Sequence, residues 1–138
     1  MFVVDTCVLI DIADADPQYG RASATCLAAH LDEGLVVSPV SYVELAPVFD
    51  GSARLLDEFL DGAGVGRNEP FDLADRAAAF SAWVRYVSAK RGGETQRRPV
   101  ADALIGALAV RVGGIITRNG ADFAAFYPTL RVLDPAVG

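Results

Sequence analysis

The stretch FVVDTCVLIDI at residues 2–12 decides the fold of this 138-residue chain. Its beginning, residues 2–4, is a short apolar run rich in valine and predicts a buried strand. Asp5 and Thr6 follow as candidates for a helix N-cap, and a helix is predicted from about residue 7 to residue 14. A buried strand that leads directly into a helix is typical of an α/β fold.

The same alternation of strand and helix continues along the chain. Further strands are predicted at residues 35–37, near Val65, at 115–117 and at 130–133. Further helices are predicted at residues 17–32, 39–48 with a break at Pro47, 53–60, 72–90, 99–112 and from Asn119. This alternation predicts a parallel sheet covered on both faces. The length is that of one domain, which we expect to span residues 1–138.

The helix predicted at residues 72–90 has the clearest pattern. Its apolar residues recur at intervals of three and four: Leu73, Ala77, Phe80, Trp83, Val84 and Val87. This spacing predicts an apolar face that packs on the core. We therefore expect Phe80 and Trp83 to be core residues and not platforms on which bases stack.

The net charge of −6 and the pI near 4.6 disfavour a nucleic-acid partner when they are taken alone. The charge is unevenly distributed, however. Residues 1–75 contain three basic and fourteen acidic side chains, whereas residues 76–138 contain nine basic and four acidic ones. The second half of the chain therefore carries positive charge that could contact phosphate groups.

The cysteines and the N-terminus favour a cytoplasmic protein. Cys7 and Cys26 match neither a disulfide framework nor the spacing of zinc ligands, which favours a reducing compartment. The N-terminal stretch lacks a basic segment and contains Asp5 and Asp11, unlike a signal peptide. No apolar run approaches the roughly 20 residues of a membrane span, so we expect no membrane partner.

Four acidic residues stand in otherwise uncharged segments: Asp5, Glu44, Asp102 and Asp122. Asp5 is predicted at the carboxyl end of a strand, and Asp122 shortly after another. Glu44 and Asp102 are predicted in the first turns of their helices. Ligand crevices lie outside the carboxyl ends of parallel strands, where these acids could meet. Other acids, such as Asp75, have polar neighbourhoods in which a solvated role is sufficient.

A cluster of carboxylates favours a hard divalent cation. Two carboxylates about 4 Å apart repel by about 4 kcal/mol at an effective dielectric constant of about 20. Mg²⁺ and Mn²⁺ prefer carboxylate and water oxygens, and such sites position hydroxide against a phosphodiester. His30 is the only histidine, and the sequence offers no assignable Ser-His or Cys-His arrangement. The four acids therefore predict metal-dependent chemistry.

Each acid also has a purely structural alternative. Asp5 could cap the first helix, and Asp102 could complement a helix dipole. Asn119 and Asp122 could form the two ends of a capping-box-like turn, and Glu44 could face solvent. Four such coincidences at places compatible with one crevice are the weaker explanation.

Four motifs carry these acids in order: FVVDTCVLIDI at residues 2–12, SYVEL at 41–45, ADALIGALAV at 101–110 and ITRNGADF at 116–123. In order and spacing they resemble the PIN domain, and the short chain is similar to the VapC toxins of type II toxin–antitoxin pairs. The resemblance implies a three-layer α/β/α sandwich with a central parallel β-sheet. It also implies a Mg²⁺- or Mn²⁺-dependent endoribonuclease that a cognate antitoxin holds inactive, usually as a homodimer.

The resemblance also implies roles for individual residues. The acidic quartet of the family corresponds to Asp5, Glu44, Asp102 and Asp122, which would be the catalytic and metal-binding residues. Asp5 and Asp102 are the two expected to bind the metal directly.

Three polar neighbours are expected to support the quartet. Thr6 and Thr117 fall where hydroxyl groups could orient carboxylates. Asn119 occupies a position that is often acidic in the family, so either Asn119 or Asp122 could fill the fourth place. Cys7 stands where Ser or Asn is common, and we expect it to be a small buried side chain.

Four arginines that lie near the last two acids in the sequence are candidates for RNA binding: Arg91, Arg97, Arg98 and Arg118. Arginine suits bidentate contacts with RNA phosphates, although each of these residues could equally be a solvated surface charge. Two other functions stay open. A phosphotransferase with Asp5 as nucleophile, as in haloacid dehalogenase-like hydrolases, would need a second Asp where Cys7 stands. A catalytically silent PIN-like module could instead bind RNA or a protein.

Overall fold

The computed structural model describes residues 1–89 and 99–137. The strands within these ranges are β1 (Phe2–Val4), β2 (Leu35–Val36), β3 (Val65–Gly66), β4 (Ile115–Ile116) and β5 (Val132–Leu133). The α-helices are α1 (Thr6–Ala13), α2 (Gly20–Ala29), α3 (Pro39–Glu44), α4 (Ala53–Ala63), α5 (Leu73–Ala89), α6 (Val100–Val112) and α7 (Gly120–Ala124). Short 3₁₀ turns occur at Leu31–Glu33 and Ala46–Phe49. No helix of this described part is long and apolar enough to cross a bilayer.

The described strands form a parallel sheet in the order β3-β2-β1-β4-β5, which confirms the predicted sheet. β1 lies at the centre, where Val3 is in register with Val36 on one side and Ile115 on the other. The chain builds outward from β1 to β3 and then adds β4 and β5 on the opposite side of β1. The direction of winding therefore reverses between β1 and β4, and a crevice forms at their carboxyl ends.

Helices cover both faces of the sheet and confirm the α/β/α sandwich. Successive side chains of β1 point to opposite faces, so Val4 enters one core and Val3 the other. The first core joins β1 to α1, α2 and α4, and includes Leu9, Leu27, Leu56 and Leu60. The second joins it to α6 and α7, and includes Ile105, Leu108, Ala109, Ile115 and Phe123.

The predicted core face of α5 is wrong. Its buried residues are Asp75, Ala79 and Ala82, whereas Leu73 and Phe80 are 70% and 73% exposed. The buried side of α5 packs on a surface of α6 that is also built from alanine, at positions 103 and 107. Small residues on both helices allow a close approach and leave no space for large side chains between them.

Trp83 is half-buried, in partial agreement with its predicted place in the core. Its ring stacks on Tyr86, with centroids 5.8 Å apart, and on Phe126, with centroids 6.2 Å apart. The three aromatic rings pack against the same cluster as the alanines of α5 and α6.

Two prolines behave differently from each other. Pro39 begins α3 as predicted, after Ser38, whose hydroxyl accepts from the N–H of Ser41 at 3.0 Å. Pro17 does not begin α2, because the carboxylate of Asp16 accepts from the backbone of residues 18 and 19 and holds this segment in a turn. α2 therefore begins only at Gly20.

The position of Glu44 also differs from the prediction. Glu44 is the last residue of the six-residue α3, not a residue of its first turn. Pro47 lacks the N–H that would bond the carbonyl of Val43, so the α-helix ends and a 3₁₀ turn follows. The carboxylate thus projects from the end of α3 that lies farthest from Ser38.

Gly106 allows a close contact in the middle of α6. A Cβ atom at this position would lie 2.5 Å from Cε2 of Tyr127 and 2.6 Å from its Cδ2. The Tyr127 hydroxyl donates to the carbonyl of Ala103, which fixes the ring over the helix. This contact joins α6 to the segment that follows α7.

Candidate functional site

The centre of the site is the carboxylate of Asp5, directly after β1. The adjacent strand β4 ends beside it, and the Thr117 hydroxyl donates to Oδ2 of Asp5 at 2.7 Å. The backbone N–H of Thr6 donates to Oδ1 at 2.8 Å. Asp5 therefore also caps α1, which was the structural alternative predicted for this residue. Asp5 is only 6% exposed, which makes it a buried carboxylate at the crevice between the two strands.

Burial raises the pKa of Asp5 above its usual value, and the negative charge of Glu44 raises it further. The hydrogen bonds from Thr117, Cys7 and Thr6 act in the opposite direction because they stabilise the ionised form. The protein therefore leaves the negative charge of Asp5 only partly compensated.

Cys7 is a partly buried thiol that contacts the same carboxylate. Its Sγ donates to Oδ2 of Asp5 at 3.4 Å and lies 3.8 Å from Oγ1 of Thr117. Burial, together with the nearby charge of Asp5, raises the pKa of the Cys7 thiol to about 11. Cys7 is thus a protonated hydrogen-bond donor at neutral pH, not an activated nucleophile.

Thr6 connects Asp5 to Glu44. Its hydroxyl donates to Oε1 of Glu44 at 2.6 Å and lies 2.8 Å from Oγ of Ser41. Glu44 is exposed, which was the structural alternative predicted for this residue. The hydrogen bond from Thr6 nevertheless fixes the direction of its carboxylate. Ser41 is fully buried, and the sequence interpretation missed it. Ser41 lies three residues before Glu44, on the same side of one helical turn, and this spacing could have indicated that the two side chains are neighbours.

Asp102 and Asp122 line a second part of the site. Both border a cavity of about 190 Å³, whose other lining residues are Tyr86, Pro99, Ala121, Ala125 and Phe126. Asp102 is half-buried in the first turn of α6, a position that also suits the helix dipole, and Asp122 is exposed on α7. The cavity is the space that these two carboxylates share.

Asn119 supports the site through its backbone. Its N–H donates to the Thr117 hydroxyl at 2.9 Å, and this leaves the hydroxyl proton free to donate to Asp5. Asn119 precedes α7 but its side chain makes no capping bond, so the capping-box alternative with Asp122 is wrong. Whether Asn119 or Asp122 fills the fourth position of the quartet stays a prediction.

The four predicted acids therefore lie as two pairs. Asp5 and Glu44 are linked through Thr6, and Asp102 and Asp122 face one cavity. Within residues 1–89 and 99–137, no three His, Cys, Asp or Glu side chains are arranged to hold one metal ion.

Arg118 is the one predicted RNA-binding arginine that falls within the described residues; Arg91, Arg97 and Arg98 lie outside them. The Nε and Nη2 atoms of Arg118 donate to the buried carboxylate of Asp11 at 2.6 and 3.2 Å. Its guanidinium carbon lies 4.0 Å from the centroid of the Tyr19 ring. An RNA contact by Arg118 stays a prediction, and phosphate would have to share this guanidinium with Asp11.

The donor set around Asp5 fits a hard divalent cation. Its carboxylate and that of Glu44 supply the oxygen ligands that Mg²⁺ and Mn²⁺ prefer. No Arg, Lys or His nitrogen of the described residues lies within ion-pairing distance of either side chain. A cation would supply the compensating positive charge.

Comparison with known proteins agrees with this geometry. A PIN domain family model matches residues 2–127, whereas no curated protein sequence matches the chain. Among solved structures, a chain of FitAB bound to an IR36 DNA fragment has a TM-score of 0.69 at 18% identity, with coverage of 99% of this chain and 96% of that chain. A chain of FitAcB from Neisseria gonorrhoeae has a TM-score of 0.66 at 19% identity, with 98% coverage of both chains.

At such identities, the similarity to the two solved structures is evidence of a shared fold. The family match carries more weight because it extends over all four acidic motifs. The chain therefore belongs to the PIN domain family.

Proposed function

We propose that this protein is a metal-dependent endoribonuclease that acts as the toxin of a type II toxin–antitoxin pair. The observation that carries the proposal is the buried carboxylate of Asp5 at the crevice between β1 and β4, next to Glu44 and without a basic partner among the described residues. Buried charge is retained where a cation or a substrate compensates it. Membership of the PIN domain family supports a nuclease.

The chain's own residues would hold Mg²⁺ or Mn²⁺ and orient the substrate. Asp5 and Asp102 would bind the metal directly, and Glu44 and Asp122 would complete the acidic quartet. When bound, a divalent cation lowers the pKa of water and stabilises charge on a phosphodiester. Thr117 and Thr6 would hold the carboxylates of Asp5 and Glu44 in the orientation that they have here.

RNA would enter along the positively charged second half of the chain. Arg91, Arg97, Arg98 and Arg118 are the proposed phosphate contacts. A cognate antitoxin and a second copy of the chain are the proposed protein partners, and the cytoplasm is the proposed location. The similar chains come from structures named for two components, FitAB and FitAcB, which supports a protein partner.

The proposal is tested by incubating the purified protein with structured RNAs in Mg²⁺, Mn²⁺ or EDTA. We expect cleavage that requires metal, that disappears in Asp5→Asn and Asp102→Asn, and that is preserved in Asp14→Asn. Asp14 is a matched control, since it is an exposed acid just after α1 and its substitution changes the net charge equally.

A graded variant sharpens the test. Thr117→Val removes the hydroxyl that contacts Asp5 and keeps the shape of the side chain, so we expect activity to fall by roughly 10- to 100-fold. Undiminished cleavage by folded Asp5→Asn would refute the assignment. Metal-independent RNA binding without cleavage would favour the catalytically silent module instead.

A further inference from the structure

The ion pair between Asp11 and Arg118 joins the two elements that meet at Asp5. Asp11 lies on α1, the helix that Asp5 caps, and is 5% exposed. Arg118 belongs to the segment after β4, by which we mean residues 117–119. Its Nε and Nη2 atoms donate to the two oxygens of the Asp11 carboxylate at 2.6 and 3.2 Å. The pair therefore connects this segment to α1.

Tyr19 covers the same guanidinium from one side. The guanidinium carbon of Arg118 lies 4.0 Å from the centroid of the Tyr19 ring, which is a cation–π contact. Tyr19 immediately precedes α2, and its N–H donates to the carboxylate of Asp16 at 2.8 Å. The guanidinium is thus held at one edge by Asp11 and on one face by Tyr19.

The two neighbours of Arg118 act on the proposed metal-binding carboxylate. The Thr117 hydroxyl donates to Asp5 at 2.7 Å, and the N–H of Asn119 donates to that same hydroxyl at 2.9 Å. Asp5 and Asp11 are six residues apart along α1, which corresponds to about 9 Å along the helix axis. The segment after β4 therefore contacts α1 at two places, near its beginning through Thr117 and in its last turn through Arg118.

We propose that Asp11 and Arg118 are positioning residues, whose ion pair holds the segment after β4 against α1 and thereby holds the Thr117 hydroxyl on Asp5. The effect on metal binding rests on the proposed nuclease, whereas the effect on the segment itself does not. Separation of a buried ion pair leaves a buried charge unpaired. The pair therefore favours the one arrangement of this segment in which both charges are compensated.

The phosphate contact proposed for Arg118 is a separate role with a different signature. Nη1 of Arg118 has no hydrogen-bond partner among the described residues, so this edge of the guanidinium can still donate to RNA. Loss of a phosphate contact raises the KM for RNA, and removal of the Asp11 charge would release Arg118 for phosphate. Loss of positioning instead weakens metal binding without RNA, and does so whichever partner of the pair is changed.

Amide hydrogen exchange of the metal-free protein tests the first step. The variant is Asp11→Asn, and the matched control is Asp75→Asn, since Asp75 is also buried and accepts from Nε and Nη2 of Arg111 at 2.8 and 3.1 Å. We expect the Asn119 N–H to exchange about tenfold faster in Asp11→Asn than in wild type, and at the wild-type rate in the control. The Thr117 N–H bonds a carbonyl of β5 and should stay protected in all three proteins.

Calorimetric titration of Mn²⁺ into the RNA-free protein tests the second step. We expect the Kd for Mn²⁺ to rise by about 10-fold in Asp11→Asn and in Arg118→Met, and by less than about twofold in Asp75→Asn. Thr117→Val should weaken Mn²⁺ binding by a similar factor. Addition of Asp11→Asn to Thr117→Val should then change the Kd by less than about twofold, because both changes act through one hydroxyl. Arg118→Lys keeps the charge without the paired hydrogen bonds, so it should recover only part of the affinity.

Four results would overturn the inference. They are an Asn119 N–H that exchanges in Asp11→Asn as in wild type, an equal acceleration in Asp75→Asn, effects of Asp11→Asn and Thr117→Val that multiply in the double variant, and an Arg118→Met protein that binds Mn²⁺ normally but has a raised KM. If wild type neither binds Mn²⁺ nor cleaves RNA, the proposed nuclease is wrong, and the exchange of the Asn119 N–H still supports or contradicts the positioning role. If Asp11→Asn fails to fold, Arg118→Lys takes its place in both measurements.

Discussion

Asp5→Asn should separate the folding role of this residue from its role in metal binding. Without metal, the variant should be nearly as stable as wild type. The amide oxygen can still accept from the N–H of Thr6, and the amide nitrogen can donate to the Thr117 hydroxyl and the Cys7 sulfur, which reverses two hydrogen bonds. Loss of one such bond costs about 1 kcal/mol, and removal of a buried charge offsets this loss.

The stabilisation that bound metal gives to the folded state is expected to be larger than this metal-free difference. A ligand at a hundred times its dissociation constant stabilises the folded state by about 2.7 kcal/mol. For a chain of this length that corresponds to a rise of roughly 10 °C in Tm. We expect wild type to show this rise in Mg²⁺ or Mn²⁺ and Asp5→Asn to lose most of it.

Differential scanning calorimetry with and without EDTA measures both effects. The control Asp14→Asn should keep the full metal-dependent rise, since it changes the same net charge at an exposed position. An equal rise in wild type and Asp5→Asn would show that any bound metal lies elsewhere. If Asp5→Asn fails to fold, Glu44→Gln provides the same test at an exposed side chain, because the proposed site includes its carboxylate.

Two further predictions concern the packing around α6. Gly106→Ala should lower the free energy of unfolding by about 1–3 kcal/mol in denaturant titration, because the new methyl group overlaps the Tyr127 ring. The control Gly62→Ala lies in open space on α4 and should raise the free energy of unfolding by about 0.5–1 kcal/mol. Gly106→Ala as stable as wild type would contradict the contact. Arg111→Met should lower Tm far more than Arg54→Met, since Arg111 pairs with Asp75, which is 1% exposed, and Arg54 pairs with exposed Glu58. Equal shifts in Tm would show that the buried pair contributes no more to stability than the exposed pair.

Local chemistry explains what could be predicted from the sequence. Ser38 and Pro39 begin α3 through a capping bond and a preset backbone angle, and both act within one turn. The place of Asp5 directly after an apolar strand was also sufficient to put its carboxylate at the carboxyl edge of a parallel sheet.

Long-range pairing explains what could not be predicted. Asp11 is buried because it meets Arg118, 107 positions along the chain. Asp75, which was expected to be solvated, is buried because Arg111 reaches it from α6. An acid has the same appearance in the sequence whether an arginine or water neutralises it, so isolation from other charges was an incomplete criterion for the site.

The error in the prediction for α5 has a different cause. Periodicity shows that a helix has an apolar face, but not what covers that face. Alanines and the Asp75–Arg111 pair form the contact between α5 and α6, and the side of α5 with large residues faces away from it. The pattern that predicted burial is therefore still present on the surface. Periodicity thus identified the apolar face of α5, whereas the small side chains that α6 presents decided which face of α5 is buried.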